Sequence, residues 1–122
     1  MKLSTAEFEI MDVIWQREPP VTSADIMAAL GAQKGWKLPT VLTFLSRLCD
    51  KGVLLTEKTG KQRSYTAALG REAYKAQQTH ELLQELYGGS VQNMVACMAD
   101  AKGVSGEELA ALRAWLEARD DT

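Results

Sequence analysis

The chain has 122 residues, 46% of them apolar and 25% charged, with a formal net charge of −2. That length suits one ordinary domain, or a small domain with an appended arm, and the apolar share argues against wholesale disorder. It contains no run of about 18 apolar residues that could cross a membrane, and its opening, Met1-Lys2-Leu3-Ser4 followed by Glu7, Glu9 and Asp12, is unlike a secretory signal. The expected setting is therefore the cytoplasm, with no membrane insertion. Two cysteines, Cys49 and Cys97, and one histidine, His80, are scattered without the paired spacing of a zinc site. No metal and no cofactor is expected, and both cysteines read as small buried hydrophobes.

The mean charge conceals an asymmetry. Residues 34–63 hold Lys34, Lys37, Arg47, Lys51, Lys58, Lys61 and Arg63 against Asp50 and Glu57, a local net charge of +5. The rest of the chain is acidic. A basic stretch inside an acidic protein is the electrostatic footprint of a nucleic-acid binder.

In chain order, Ser4-Thr5-Ala6-Glu7 reads as a capping box opening a helix to about Gln16. Phe8, Ile10, Met11, Val13, Ile14 and Trp15 give it a wide apolar stripe, and Pro19-Pro20 prevents continuation. Thr22, with Asp25 in the first turn, caps a second helix of about nine residues carrying Ile26, Met27, Ala29 and Leu30. Gly31 is expected to stop it, leaving 32–37 as a loop that carries Trp36. Pro39 sits near the start of a third helix, whose Val41, Phe44, Leu45 and Leu48 form one buried face. Pro39, Thr43, Ser46 and Asp50 fall opposite, with Thr40 and Arg47 on one flank and Leu42 on the other. Gly52 ends this helix.

Residues 53–58 and 62–66 are β-like and flank a Thr59-Gly60-Lys61 turn, a hairpin with a basic tip. Three short helices followed by a basic hairpin is the order of a winged helix-turn-helix. Beyond Gly70 come three more helices. The first runs from Arg71 to Tyr87 and is broken by Gly88-Gly89. The second is capped by Ser90 and carries Val91, Met94, Val95 and Met98; the third is capped by Ser105 and carries Leu109, Leu112, Trp115 and Leu116. Short helices with apolar stripes and no second layer need partners, and a symmetric homodimer would supply them. The expected architecture is mostly α with a small β hairpin: a DNA-binding head over 1–69 and a three-helix dimerisation arm over 70–122. The dimerising residues are expected to be Leu82, Leu83, Leu86, Val91, Met94, Val95, Met98, Leu109, Leu112 and Leu116.

These residues resemble the penicillinase and methicillin-resistance repressor family of winged-helix transcriptional regulators. The resemblance rests on Ala6-Glu7 through Val13-Ile14-Trp15, and on Trp36 with Thr40-Val41, Thr43, Leu45 and Arg47-Leu48. It continues through Lys51-Gly52, Lys58 to Gly60 and Tyr65-Thr66, then Tyr87-Gly88-Gly89-Ser90, Met94-Val95, Ser105, Glu107-Glu108-Leu109 and Leu112. It implies a homodimer that binds an inverted-repeat operator in double-stranded DNA and blocks transcription. The third helix would enter the major groove, with Thr40, Thr43 and Arg47 at matching recognition positions, and Lys58, Lys61 and Arg63 would lie on the wing. Lys37, at the helix entrance, and Leu42 complete the expected contact set.

Three departures from the family pattern matter. Leu42 stands where the family commonly has a polar or basic residue; leucine can pack on a thymine methyl but cannot hydrogen-bond a base edge. The proline entering the third helix is shifted by one place, to Pro39. Cys97-Met98 stands where the resistance regulators have an Asn-Phe bond that is cut upon induction, so the resemblance does not by itself extend to proteolytic induction or a β-lactam link, and any sensor partner is left unidentified. The C-terminal sequence also lacks the CxC motif of copper-responsive members. Two alternatives fit the same pattern: a winged-helix protein-interaction module and a small-molecule-sensing regulator. No nucleophile–base pair, phosphate-cradling glycine loop or ligand cluster marks an enzyme.

Overall fold

The computed structural model describes residues 2–101 and 103–119. The chain divides into two compact units, with the division after Gln78.

In the first unit, α1 (Thr5–Gln16) begins with the reciprocal capping box. The Ser4 hydroxyl accepts from the Glu7 N–H at 3.2 Å, and the Glu7 carboxylate accepts from the Ser4 N–H at 2.8 Å. Thr22 and Asp25 repeat the device at α2 (Ser23–Ile26). The backbone and side-chain hydrogen bonds from Thr22 hold the Asp25 carboxyl below its ordinary range.

The second helix is longer than its sequence suggests. A π-helical turn, Met27–Gly31, follows α2 and runs directly into α3 (Ala32–Lys34). Gly31 does not stop the helix: its φ is −54°, and it is buried beneath the Met27 side chain. The stop falls at Gly35, which is left-handed with φ of 70°. Residues 32–34 are therefore helical rather than loop, and only 35–37 connect to α4 (Leu38–Asp50).

The hairpin pairs β2 (Leu54–Thr59) with β3 (Gln62–Ala67), and the turn is only Gly60-Lys61, with φ of 66° at Gly60. A two-residue strand, β1 (Val21–Thr22), which the sequence pattern did not reveal, pairs antiparallel with β3 and gives the sheet order β1-β3-β2. The core joins Ile10, Met11 and Ile14 of α1, Ile26 of α2, Val41, Leu45 and Leu48 of α4, and Val21, Leu54 and Tyr65 of the sheet. α5 (Arg71–Tyr87) starts on this unit. Tyr74 is buried and stacks between Phe8 and Trp15, with centroids 6.0 and 5.8 Å away. The Tyr74 hydroxyl accepts from the Leu3 N–H, the Trp15 Nε1–H donates to the Leu69 carbonyl at 2.9 Å, and Arg71 meets Asp12 at 3.1 Å.

The second unit holds the rest of α5, α6 (Val91–Asp100) and α7 (Gly106–Arg119). Ser90 and Ser105 cap α6 and α7 as their positions suggest. Cys97 is exposed and Cys49 only half-buried, so neither is the fully buried hydrophobe expected from composition. The Cys97 side chain beside Tyr87, with a smaller effect of burial, holds the phenol above its ordinary range. His80 is exposed.

Candidate nucleic-acid interface

The amphipathic pattern of α4 decides which side chains reach solvent. Val41, Leu45 and Leu48 are fully buried, so the opposite face is held outward by the core itself. Lys37 is the N-cap, and Pro39 lies in the first turn, where a missing N–H removes no helical bond. Thr40, Leu42, Thr43, Ser46, Arg47 and Asp50 are all exposed on this helix. Trp36 packs on Phe44 at 5.3 Å and fixes the chain that enters it.

The individual groups differ in readiness. The Thr43 hydroxyl donates to the Pro39 carbonyl at 3.0 Å, leaving its lone pairs and methyl group to face outward. Among the described residues Arg47 makes no ion pair, so the guanidinium is available to an external anion. Two other cations of the basic stretch are committed to α1. Lys34 meets Glu9 at 2.6 Å, and Lys51 meets Glu7 at 2.6 Å. The +5 of the sequence therefore overstates the charge free to meet a ligand.

The Lys51 contact is structural. Glu7 is 2% exposed, and its Oε2 has no hydrogen-bond partner among the described residues. Burial alone would raise its pKa, but the hydrogen bonds from Lys51 and Ser4 outweigh that and hold the carboxyl below 4.5. Lys51 also donates to the Lys2 carbonyl at 3.2 Å, so the C-terminal end of α4 is tied to the N-terminal end of α1.

On the hairpin, Lys58 stands directly across from Arg63, and Lys61 occupies the turn. Like charges directly opposite disfavour a strand pair, so this arrangement gains from an anion placed against it. Strand alternation puts Lys58 and Arg63 on the same face as Thr56 and Tyr65. That face looks toward α4 across a cleft of about 470 Å³, lined by Leu42, Ser46, Cys49 and Asp50 on one side and Thr56, Arg63 and Tyr65 on the other. Burial and the neighbouring Asp50 raise the Cys49 thiol, which keeps it protonated and unreactive.

Eight contact residues are expected from the sequence. Five of them, Lys37, Thr40, Leu42, Thr43 and Arg47, lie at the entrance to α4 or along its exposed side; Lys58, Lys61 and Arg63 lie on the hairpin of the same unit. Ser46, Asp50 and Thr56 share the cleft and are not among the eight. Helical periodicity does place Ser46 and Asp50 on the outward face, whereas nothing local marks Thr56. In the second unit, Leu82, Leu86, Val91, Met98 and Leu116 are exposed, and Leu83, Met94, Val95, Leu109 and Leu112 are half-buried.

Helices packed on a small sheet, an outward-facing third main helix and a basic hairpin define a winged helix-turn-helix protein. The family profile described as penicillinase repressor matches residues 3–118, and the chain belongs to that family. It is 31% identical to the penicillinase repressor of Bacillus licheniformis, over 95% of this chain and 90% of that protein. It is 25% identical to the methicillin resistance regulatory protein MecI of Staphylococcus aureus strain N315, over 92% of this chain and 90% of that one. Among solved structures it resembles monomeric Bacillus licheniformis BlaI in complex with the blaP half-operator. That match has a TM-score of 0.52 and 31% identity, over 61% of this chain and 89% of that one.

Proposed function

We propose that this protein is a sequence-specific transcriptional repressor that binds an inverted-repeat operator in double-stranded DNA as a homodimer. The observation that carries this reading is the pairing, in one unit, of an exposed polar helix face on α4 with a basic hairpin, in a chain whose relative BlaI is described bound to a half-operator. In this reading residues 1–69 read DNA and residues 70–122 dimerise, with the first turns of α5 packed on the head as the link.

The roles follow from chemistry. Arg47, Lys37, Lys58, Lys61 and Arg63 neutralise phosphates, while Thr40 and Thr43 offer hydroxyls and methyl groups to base edges. The exposed apolar groups of α5, α6 and α7, with Leu82, Val91, Met98 and Leu116 among them, supply the surface that a second copy would cover. Among the described residues no helix is long and apolar enough to cross a membrane.

The test is operator affinity against salt. Five cations per subunit give ten per dimer, so log K should fall against log salt with a slope as steep as about −9. Affinity unchanged between low and moderate salt would reject the reading.

A further inference from the structure

The two flanks of α4 differ in chemistry. On one side stand Thr40 and Arg47, both polar. On the other stand Leu38 and Leu42, four residues apart and 45% and 41% exposed, with Leu42 in the wall of the cleft that faces the hairpin. Ser46 continues the row one turn later, beside Leu42 in the wall of the cleft, and Arg63 faces them from the hairpin. Single exposed leucines are ordinary on a protein surface. Two in one row, on the first turns of the helix that would enter a groove, are chemically informative.

The edges of the bases in the major groove are donors and acceptors with a single apolar exception, the C5-methyl group of thymine. The N-terminal turns of a recognition helix are the part that reaches those edges. Leu42 lies in this stretch, and it has no group that could satisfy the acceptors of guanine. Arg63, across the cleft, can hold a phosphate of the strand whose base meets Leu42. Asp50, at the far end of the same wall, repels phosphate and confines the strand to the Leu42 end.

We propose that Leu42 is a specificity-determining residue, whose methyl groups select a thymine in each half-site by packing on its C5-methyl. This rests on the DNA-binding reading above and adds to it the base that is read and the side chain that reads it.

The test uses the full-length chain and the duplex it selects from a random pool. Each thymine of that duplex is replaced in turn by deoxyuridine, which removes the methyl group and leaves the hydrogen-bonding edge intact. One position per half-site should weaken binding about fourfold, and about fifteenfold when both half-sites are changed, the size expected for one buried carbon group. The same replacement should cost Leu42→Ala nothing, because its partner is already gone. The exposure of Leu42 means that this variant should keep the wild-type melting temperature, which is checked alongside. If no deoxyuridine position is coupled to Leu42 while selective binding persists, the proposal is overturned and the repressor reading stands. If no duplex is selected at all, both fall.

Discussion

Arg47 and Glu7 show how differently two charged residues of one unit are used. Arg47 is exposed on α4 and engaged by no carboxylate among the described residues. Arg47→Ala should weaken operator binding about tenfold or more while leaving sedimentation and melting unchanged, because a charge-assisted contact is lost and no packing is. Equal affinity at moderate salt would remove Arg47 from the contact set. Glu7 is buried against Lys51, and its carboxyl is held below 4.5. Its ionised form therefore adds stability that is present above that value and lost as pH falls through the lower folded value. Glu7→Gln should lower stability by about 1–3 kcal/mol at neutral pH, and the gap from wild type should narrow in melts taken progressively below pH 4.5. A gap constant with pH would mean that the charge plays no part. The Ser4–Glu7 capping box and the Thr22 cap were legible in the sequence because they act over three residues, whereas the return bond from Asp25 that closes a second box is seen in the structure. The Glu7–Lys51 pair spans 44 residues and has no local signature.

At the level of elements, the hairpin and the second helix behave oppositely. The hairpin was legible because alternation and Gly60 mark it, although its turn is one residue shorter than the pattern suggested. Its Lys58–Arg63 pair is self-repelling, so replacing both with alanine should leave the head at least as stable. The same change should make the salt slope of operator binding shallower by about four for the dimer, at roughly one unit per cation. An unchanged slope would place the hairpin away from phosphate. The second helix runs past the stop that Gly31 suggests, because a glycine there leaves room for Met27 to lie across a continuous helical path through the π turn. β1 was invisible because two residues carry no periodicity; only pairing with β3 reveals them.

At the scale of the whole molecule, the boundary within α5 has a practical consequence. Tyr74 belongs to the aromatic cluster of Phe8 and Trp15, and Arg71 meets Asp12, so a head cut at Gly70 would lose part of its own core. A chain ending at Gln78 keeps these contacts and should be a folded monomer by sedimentation, binding operator at least about a hundredfold more weakly than the full chain because the second half-site is no longer linked. Full affinity in that fragment would show that the arm is not the dimeriser. The arm's helices were legible from Ser90, Ser105 and Gly88-Gly89. The face that the proposed second copy would cover depends on surface fit between helices and so has no local signature in the sequence.

Two copies of the head, if paired by the arm, read a two-fold symmetric site, and selection of bound duplexes from a random pool by the full-length chain measures this. The expected product is an inverted repeat whose half-sites are centred about one helical turn apart or a multiple of it. Enrichment of an unpaired half-site, or of no sequence, would rule out symmetric reading by a dimer.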